Sequence, residues 1–175
     1  MVKFKTNYGA HIAKNLVYLD YDKLKAILHE HDNDDKDKKS AFKPLLLSTV
    51  EDWPVTEERF SALFFDQLDK VEKCFVERMS ELEYMHVDMM RFAKEFMENK
   101  FKKKEEKKAF EAALKRSATT LHQKVSNLET YRILNRTLSL KILQKHDKMT
   151  KKVNAKPVLE LYLERLNRTS LGSGA

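Results

Sequence analysis

Glycine and proline are almost missing. Three of each in 175 residues leave little material for strands joined by tight turns, and no glycine-rich phosphate loop can be assembled from them. The single cysteine, Cys74, excludes an internal disulfide. It falls in an apolar helical stripe and reads as a buried, inert thiol from a reducing compartment. No apolar run approaches the roughly 18 residues of a membrane span. Residues 1–14 are too polar and mixed for a secretion signal. A cytoplasmic chain is expected, with the nucleus, or the cytosolic face of a membrane reached through a longer protein, left open. No Ser–His–Asp or Cys–His arrangement falls on recognisable elements. The many carboxylates sit on charged helix faces. No catalytic residue, cofactor or metal is therefore assigned, and the chain by itself is not expected to be an enzyme.

What is present is charge and helical periodicity. Charged residues make up 35% of the chain and apolar residues 42%, the composition of one domain built from long helices. The net charge of +7 and a pI near 9.3 call for an anionic partner, whether nucleic acid, a membrane surface or a small polyanion. Two short helices are predicted first, from Phe4 to about Ala13 and from Tyr21 to about Glu30, the second capped by Asp20 and carrying Leu24, Ile27 and Leu28 on its apolar face. Residues 29–40, HEHDNDDKDKKS, lack periodicity and read as an exposed loop. His29, His31, Asp32, Asp34 and Asp35 there lack the spacing of a zinc site. Residues 42–54 are a short helix or an extended packing segment. From Thr56 apolar residues recur at steps of three and four over about 40 residues, from Phe60 through Phe64, Leu68, Val71 and Phe75 to Phe96. After a reversal near Asn99–Lys104, a second long stripe runs from about Lys107 through Phe110, Leu128, Leu134 and Ile142 to Met149. A short helix follows Pro157. The fold expected is all-α, with two long helices lying antiparallel. Residues 169–175 resemble a linker or an appended tail. The sequons at Asn135 and Asn167 are read as chance matches.

One stretch resists an ordinary reading. In KILQKHDKMTKK, residues 141–152, Lys141, Lys145, Lys148 and Lys152 fall at i, i+4, i+7 and i+11, stacking four ammonium groups along one stripe. Like charges so spaced destabilise a helix by roughly 0.2–0.5 kcal/mol per pair. A solvated helix face is the usual reading of such a run. Tyr21 and Lys25, at i and i+4 beside Leu24 and Leu28, form a second basic edge, and Lys3 adds a further candidate.

The opening Met1-Val2-Lys3-Phe4, the run Tyr18 to Lys25 (YLDYDKLK), and Leu134-Asn135-Arg136-Thr137 followed by Lys141 to Lys148 (KILQKHDK) together resemble the SPX domain family in order and spacing. The resemblance covers residues 1–168, and its late motif is the most specific part. It implies an N-terminal helical hairpin packed on two long antiparallel helices, like a three-helix bundle, with short helices at the C-terminus. It also implies a ligand, an inositol polyphosphate or pyrophosphate such as inositol hexakisphosphate, sensed as a signal of phosphate status. Carried over by position, Tyr21, Lys25 and Lys145 match the family's phosphate-binding cluster. Lys141 and Lys148 match its lysine surface cluster, whose third member falls at Gln144. A neutral amide donates a hydrogen bond but brings no charge. Arg136 and Leu138 stand where the family has Tyr and Gly, and Val2 displaces Lys3 by one position from the family's start. His146 and Asp147 follow the family pattern and are expected to pair locally with lysine or backbone groups.

Such a ligand concentrates many negative charges in a small volume. An apolar cleft would impose a heavy desolvation penalty, whereas an exposed basic surface avoids most of it. The lysine stripe is then tolerated because a polyanion relieves its repulsion. Two other readings remain. A basic helical nucleic-acid binder lacks an aromatic stacking platform and helix-turn-helix spacing. A coiled-coil protein-interaction module is compatible with ligand binding, since a ligand can bridge the domain to a protein partner or an attached catalytic or transporter domain.

Overall fold

The computed structural model describes residues 16–37, 55–98, 103–150 and 156–172. Four helices fill them: α1 (Tyr21–Asp37), α2 (Val55–Glu98), α3 (Lys104–Thr150) and α4 (Lys156–Asn167), with no strand among the described residues. The fold is all-α, as expected. The first predicted helix, the segment 42–54 and Lys3 lie outside the described residues.

α2 and α3 hold 44 and 47 residues, so each extends for about 65–70 Å at 1.5 Å per residue. Neither contains glycine or proline, and their apolar residues recur every three or four positions. α2 opens with Glu57 and Glu58 and α3 with Glu105 and Glu106, charges that oppose the positive end of a helix dipole. α2 begins at Val55, one residue before the expected start at Thr56. α4 starts at Lys156 with Pro157 in its first turn, where a missing amide hydrogen costs nothing.

The chain divides into two compact units. One is Phe75–Arg132, the outer parts of α2 and α3. Phe110 stacks on Phe92 with centroids 4.0 Å apart and on Phe96 at 5.3 Å, while Lys124 approaches the Met85 sulfur. As residue numbers rise on one helix they fall on the other, so the pair is antiparallel. Its buried residues are Phe75, Leu82, Leu128 and Tyr131.

The other unit comprises the residues up to Cys74 and from Ile133 onward. Phe60, Phe64, Leu68, Val71 and Cys74 of α2 meet Leu134, Ile142 and Leu143 of α3, Leu24 and Leu28 of α1, and Tyr162 and Leu166 of α4 in one core. Each fully buried Phe or Leu stabilises it by about 1.5–3 kcal/mol. Cys74 is buried and free. Inside this core lies a polar triad. Glu57 accepts a hydrogen bond from the Tyr162 hydroxyl at 2.6 Å and faces His146 Nε2 at 2.7 Å. His146 is fully buried and stacks on Phe60 at 4.7 Å. The contact requires Nε2 to carry the ring proton, since the carboxylate only accepts. His146 is structural, as expected, but its recorded partner is an acid on α2 rather than a lysine or a backbone group.

Two expectations shift. α1 continues to Asp37, so the predicted loop over 29–40 is helical for most of its length. No glycine or proline interrupts residues 21–37, and polarity alone does not stop a helix. Beyond α4 the chain remains packed. Leu171 is buried, Ser170 donates from its amide and hydroxyl to Glu72, and the Arg136 guanidinium donates to the carbonyls of Leu171 and Gly172. Residues 169–172, expected to begin a tail, thus cover the ends of the core.

Candidate functional site

The entry to α1 is pinned by side chains from both long helices. The Asp20 carboxylate accepts from the Lys23 amide at 3.0 Å, which is the predicted N-cap. The Leu19 amide donates to Asn135 Oδ1 of α3 at 2.9 Å, and the Asp20 amide to Gln67 Oε1 of α2 at 2.7 Å. Asn135 is fully buried, so its sequon cannot carry a sugar in the folded chain. These bonds fix where α1 starts relative to its neighbours.

A second contact fixes its direction. Lys145 Nζ lies 2.9 Å from His29 Nε2. Leu19 with Asn135 and His29 with Lys145 are pairs separated by ten residues on both segments. α1 therefore runs parallel to the adjoining part of α3, over about 15 Å. In that register Tyr21 falls near the level of Thr137, and Lys25 near that of Lys141.

The exposures complete the picture. Leu24 and Leu28 are buried, Tyr21 and Lys25 are half-buried on the flank beside them, and His29 continues the same flank one turn on, exposed. On α3, Ile142, Leu143 and His146 face the core, Lys141 and Lys145 are half-buried, and Lys148 is exposed. Tyr21, Lys25 and His29 thus share one flank of α1, and the Lys145–His29 contact brings the end of that flank to the stretch of α3 that carries Lys141, Lys145 and Lys148. Gln144 is exposed and lies about 100° around the helix from Lys145, on the side away from α1. Half-buried stems with exposed heads are the usual arrangement for lysines beside an apolar core. Asp22 on α1, exposed, and Asp147 on α3, half-buried, are acids close to these residues in sequence.

The arrangement concentrates cationic donors without enclosing them. Lysine ammonium groups rotate to meet oxygens in varied geometry, and Tyr21 provides a directional hydroxyl. Among the described residues no three His, Cys, Asp or Glu side chains come together as a metal site; the side chains of His31, Asp32, Asp34 and Asp35 lie outside the description. A cavity lined by Phe75, Met79, Leu82, Leu121 and Val125 is apolar and contains none of the predicted residues. No helix among the described residues is long and apolar enough to cross a membrane.

The sequence reading gives His29 no binding role; its spacing of eight from Tyr21, about two helical turns, is the signal for its place on that flank. Glu57, Gln67 and Asn135 carry no sequence signal for their roles, because their partners are distant in the chain.

No protein-family model matches the chain. It is 30% identical over 134 residues, 74% of its length, to SPX domain-containing protein 6 of Oryza sativa subsp. indica. It is 29% identical over 132 residues to the protein of the same name from Oryza sativa subsp. japonica. The chain spans about half the length of these curated relatives, 55% and 53% respectively.

Proposed function

We propose that the chain is an SPX domain that reports phosphate status by binding inositol polyphosphates or pyrophosphates in the groove between α1 and α3. Similarity to two SPX domain-containing proteins supports the family. The observation that supports the site is the Lys145–His29 contact, made one turn beyond Lys25 on the flank that Tyr21 and Lys25 share. In this reading Tyr21, Lys25, Lys141, Lys145 and Lys148 hold phosphate oxygens, Gln144 donates a neutral bond at the rim, and Lys3, outside the described residues, is a further candidate donor. No bond is made or broken. The bound ligand regulates an attached domain or a partner protein by changing the surface that this end of the molecule presents.

Charge-assisted hydrogen bonds contribute about 1.5–3 kcal/mol each. Four or five of them, less the entropy of ordering lysine side chains, give roughly micromolar affinity. Lys145 sits midway along the ridge and meets α1, so its loss is the sharpest test. Lys145→Ala is expected to weaken inositol hexakisphosphate binding by about tenfold or more, the equivalent of one charge-assisted bond. Its melting temperature should stay near that of the wild type, because the ammonium group is not in the core. Titration calorimetry that finds equal affinities in the two proteins rejects the site. Displacement of the ligand by duplex DNA at moderate salt favours the nucleic-acid reading instead.

A further inference from the structure

We infer that His29 is a phosphate-facing member of this groove, and that it couples ligand binding to uptake of a proton. The inference rests on the reading of the groove as a polyphosphate site.

Lys145 Nζ lies 2.9 Å from His29 Nε2. An ammonium group has only donors, so His29 accepts through Nε2 and is neutral in this arrangement. The charged groups near it carry both signs. On α3 they are Lys145 itself, Lys141 and Lys148 about one turn to either side, and the half-buried Asp147; on α1 Lys25 stands one turn before it and Asp22 about a turn further back, with Glu30 next to it and Asp32 three positions on in the helix. A polyphosphate in the groove changes what each of these groups meets. Lys145 turns its donors to phosphate oxygens, which are stronger acceptors than an imidazole. Nε2 is then released into a field that has become negative. It takes one proton from solvent and, as imidazolium, donates to the ligand. His29 occupies the position where the flank begun by Tyr21 and Lys25 reaches Lys145. An imidazolium there adds a cation to the groove only when the ligand is present, without adding to the repulsion along the empty ridge.

The test compares the wild type with His29→Gln, whose amide oxygen still accepts from Lys145 but never gains charge. Inositol hexakisphosphate is titrated calorimetrically at about pH 6 and about pH 8, either side of the imidazole range, each in two buffers of different ionisation enthalpy. The ligand's own protonation is common to both proteins and cancels in the comparison. The wild type is expected to bind about three- to tenfold more tightly than His29→Gln at the lower pH, up to the effect of one pKa unit, and about equally at the higher. It should also take up more protons per ligand. An affinity ratio that does not change with pH, together with equal proton uptake, overturns the role of His29. If Lys145→Ala still weakens binding in that case, the groove stands and only this inference falls. No binding by the wild type at either pH overturns both.

Discussion

Glu57 accepts two bonds from partners 89 and 105 positions away, His146 and Tyr162. It thereby joins the first turn of α2 to the basic segment of α3 and to α4. Burial pushes the Tyr162 hydroxyl well above the ordinary phenol range, and the charge of Glu57 and its hydrogen bond add to the shift. The folded state therefore holds this proton more tightly than the unfolded state does. Stability from this source is complete below about pH 10 and falls as the pH rises above it, because only the unfolded phenol ionises. Urea midpoints followed from about pH 9 to pH 11 should fall more steeply in the wild type than in Tyr162→Phe, by up to about 1.4 kcal/mol per pH unit. Parallel profiles would show that the hydroxyl does not contribute in this way. At neutral pH the same variant should lose about 1–3 kcal/mol, since Glu57 keeps only part of its hydrogen bonding.

Among the elements, α1 carries one edge of the proposed site, and the turn after α4 packs against the core through Leu171. α1 is stopped at its N-terminus by its own cap and by Asn135 and Gln67, so its register along α3 is set within one turn. The turn after α4 closes through the Gly172 amide, which donates to the Thr169 carbonyl at 2.9 Å. A methyl group at Gly172 would lie 2.2 Å from the Leu166 carbonyl oxygen and 2.4 Å from the Asn167 Cα, both backbone atoms of the same turn. Neither atom moves without unwinding the end of α4. Gly172→Ala should therefore displace the turn, weaken the packing of Leu171 and the Arg136 bonds, and cost about 1–3 kcal/mol. Denaturant titration checks this, and an unchanged midpoint would mean that the turn relaxes freely. Helix identity was legible at this scale, because α2, α3 and α4 each carry apolar residues at steps of three or four. The end of α1 was not. A run such as HEHDNDDKD has no apolar stripe, and periodicity cannot see a helix that buries nothing recognisable.

For the whole molecule, the surplus of positive charge governs how it meets a ligand. The net charge of +7 spreads over both units, and the proposed site draws on the half-buried Lys141 and Lys145 and the exposed Lys148. Binding should be strongly salt dependent. Raising monovalent salt from about 50 to about 200 mM is expected to weaken inositol hexakisphosphate binding by at least about tenfold, as counterions compete for the same charges. Affinity that holds constant across that range would place the recognition in apolar contacts instead.

The sequence by itself determined the helical class, the two long antiparallel helices and the lysine stripe, because each is written in a local repeat of 3.6 residues or in the scarcity of residues that break one. It also marked Tyr21 and Lys25 as a second basic edge. Which edge faces which ridge was decided only by tertiary structure. The parallel register of α1 on α3 depends on Asn135 and on Lys145 meeting His29, across a separation of 116 residues in each case. Such contacts have no period and no spacing rule. They exist because the core formed by Leu24, Leu28, Ile142 and Leu143 admits one alignment of the two helices, and the charged side chains follow from it.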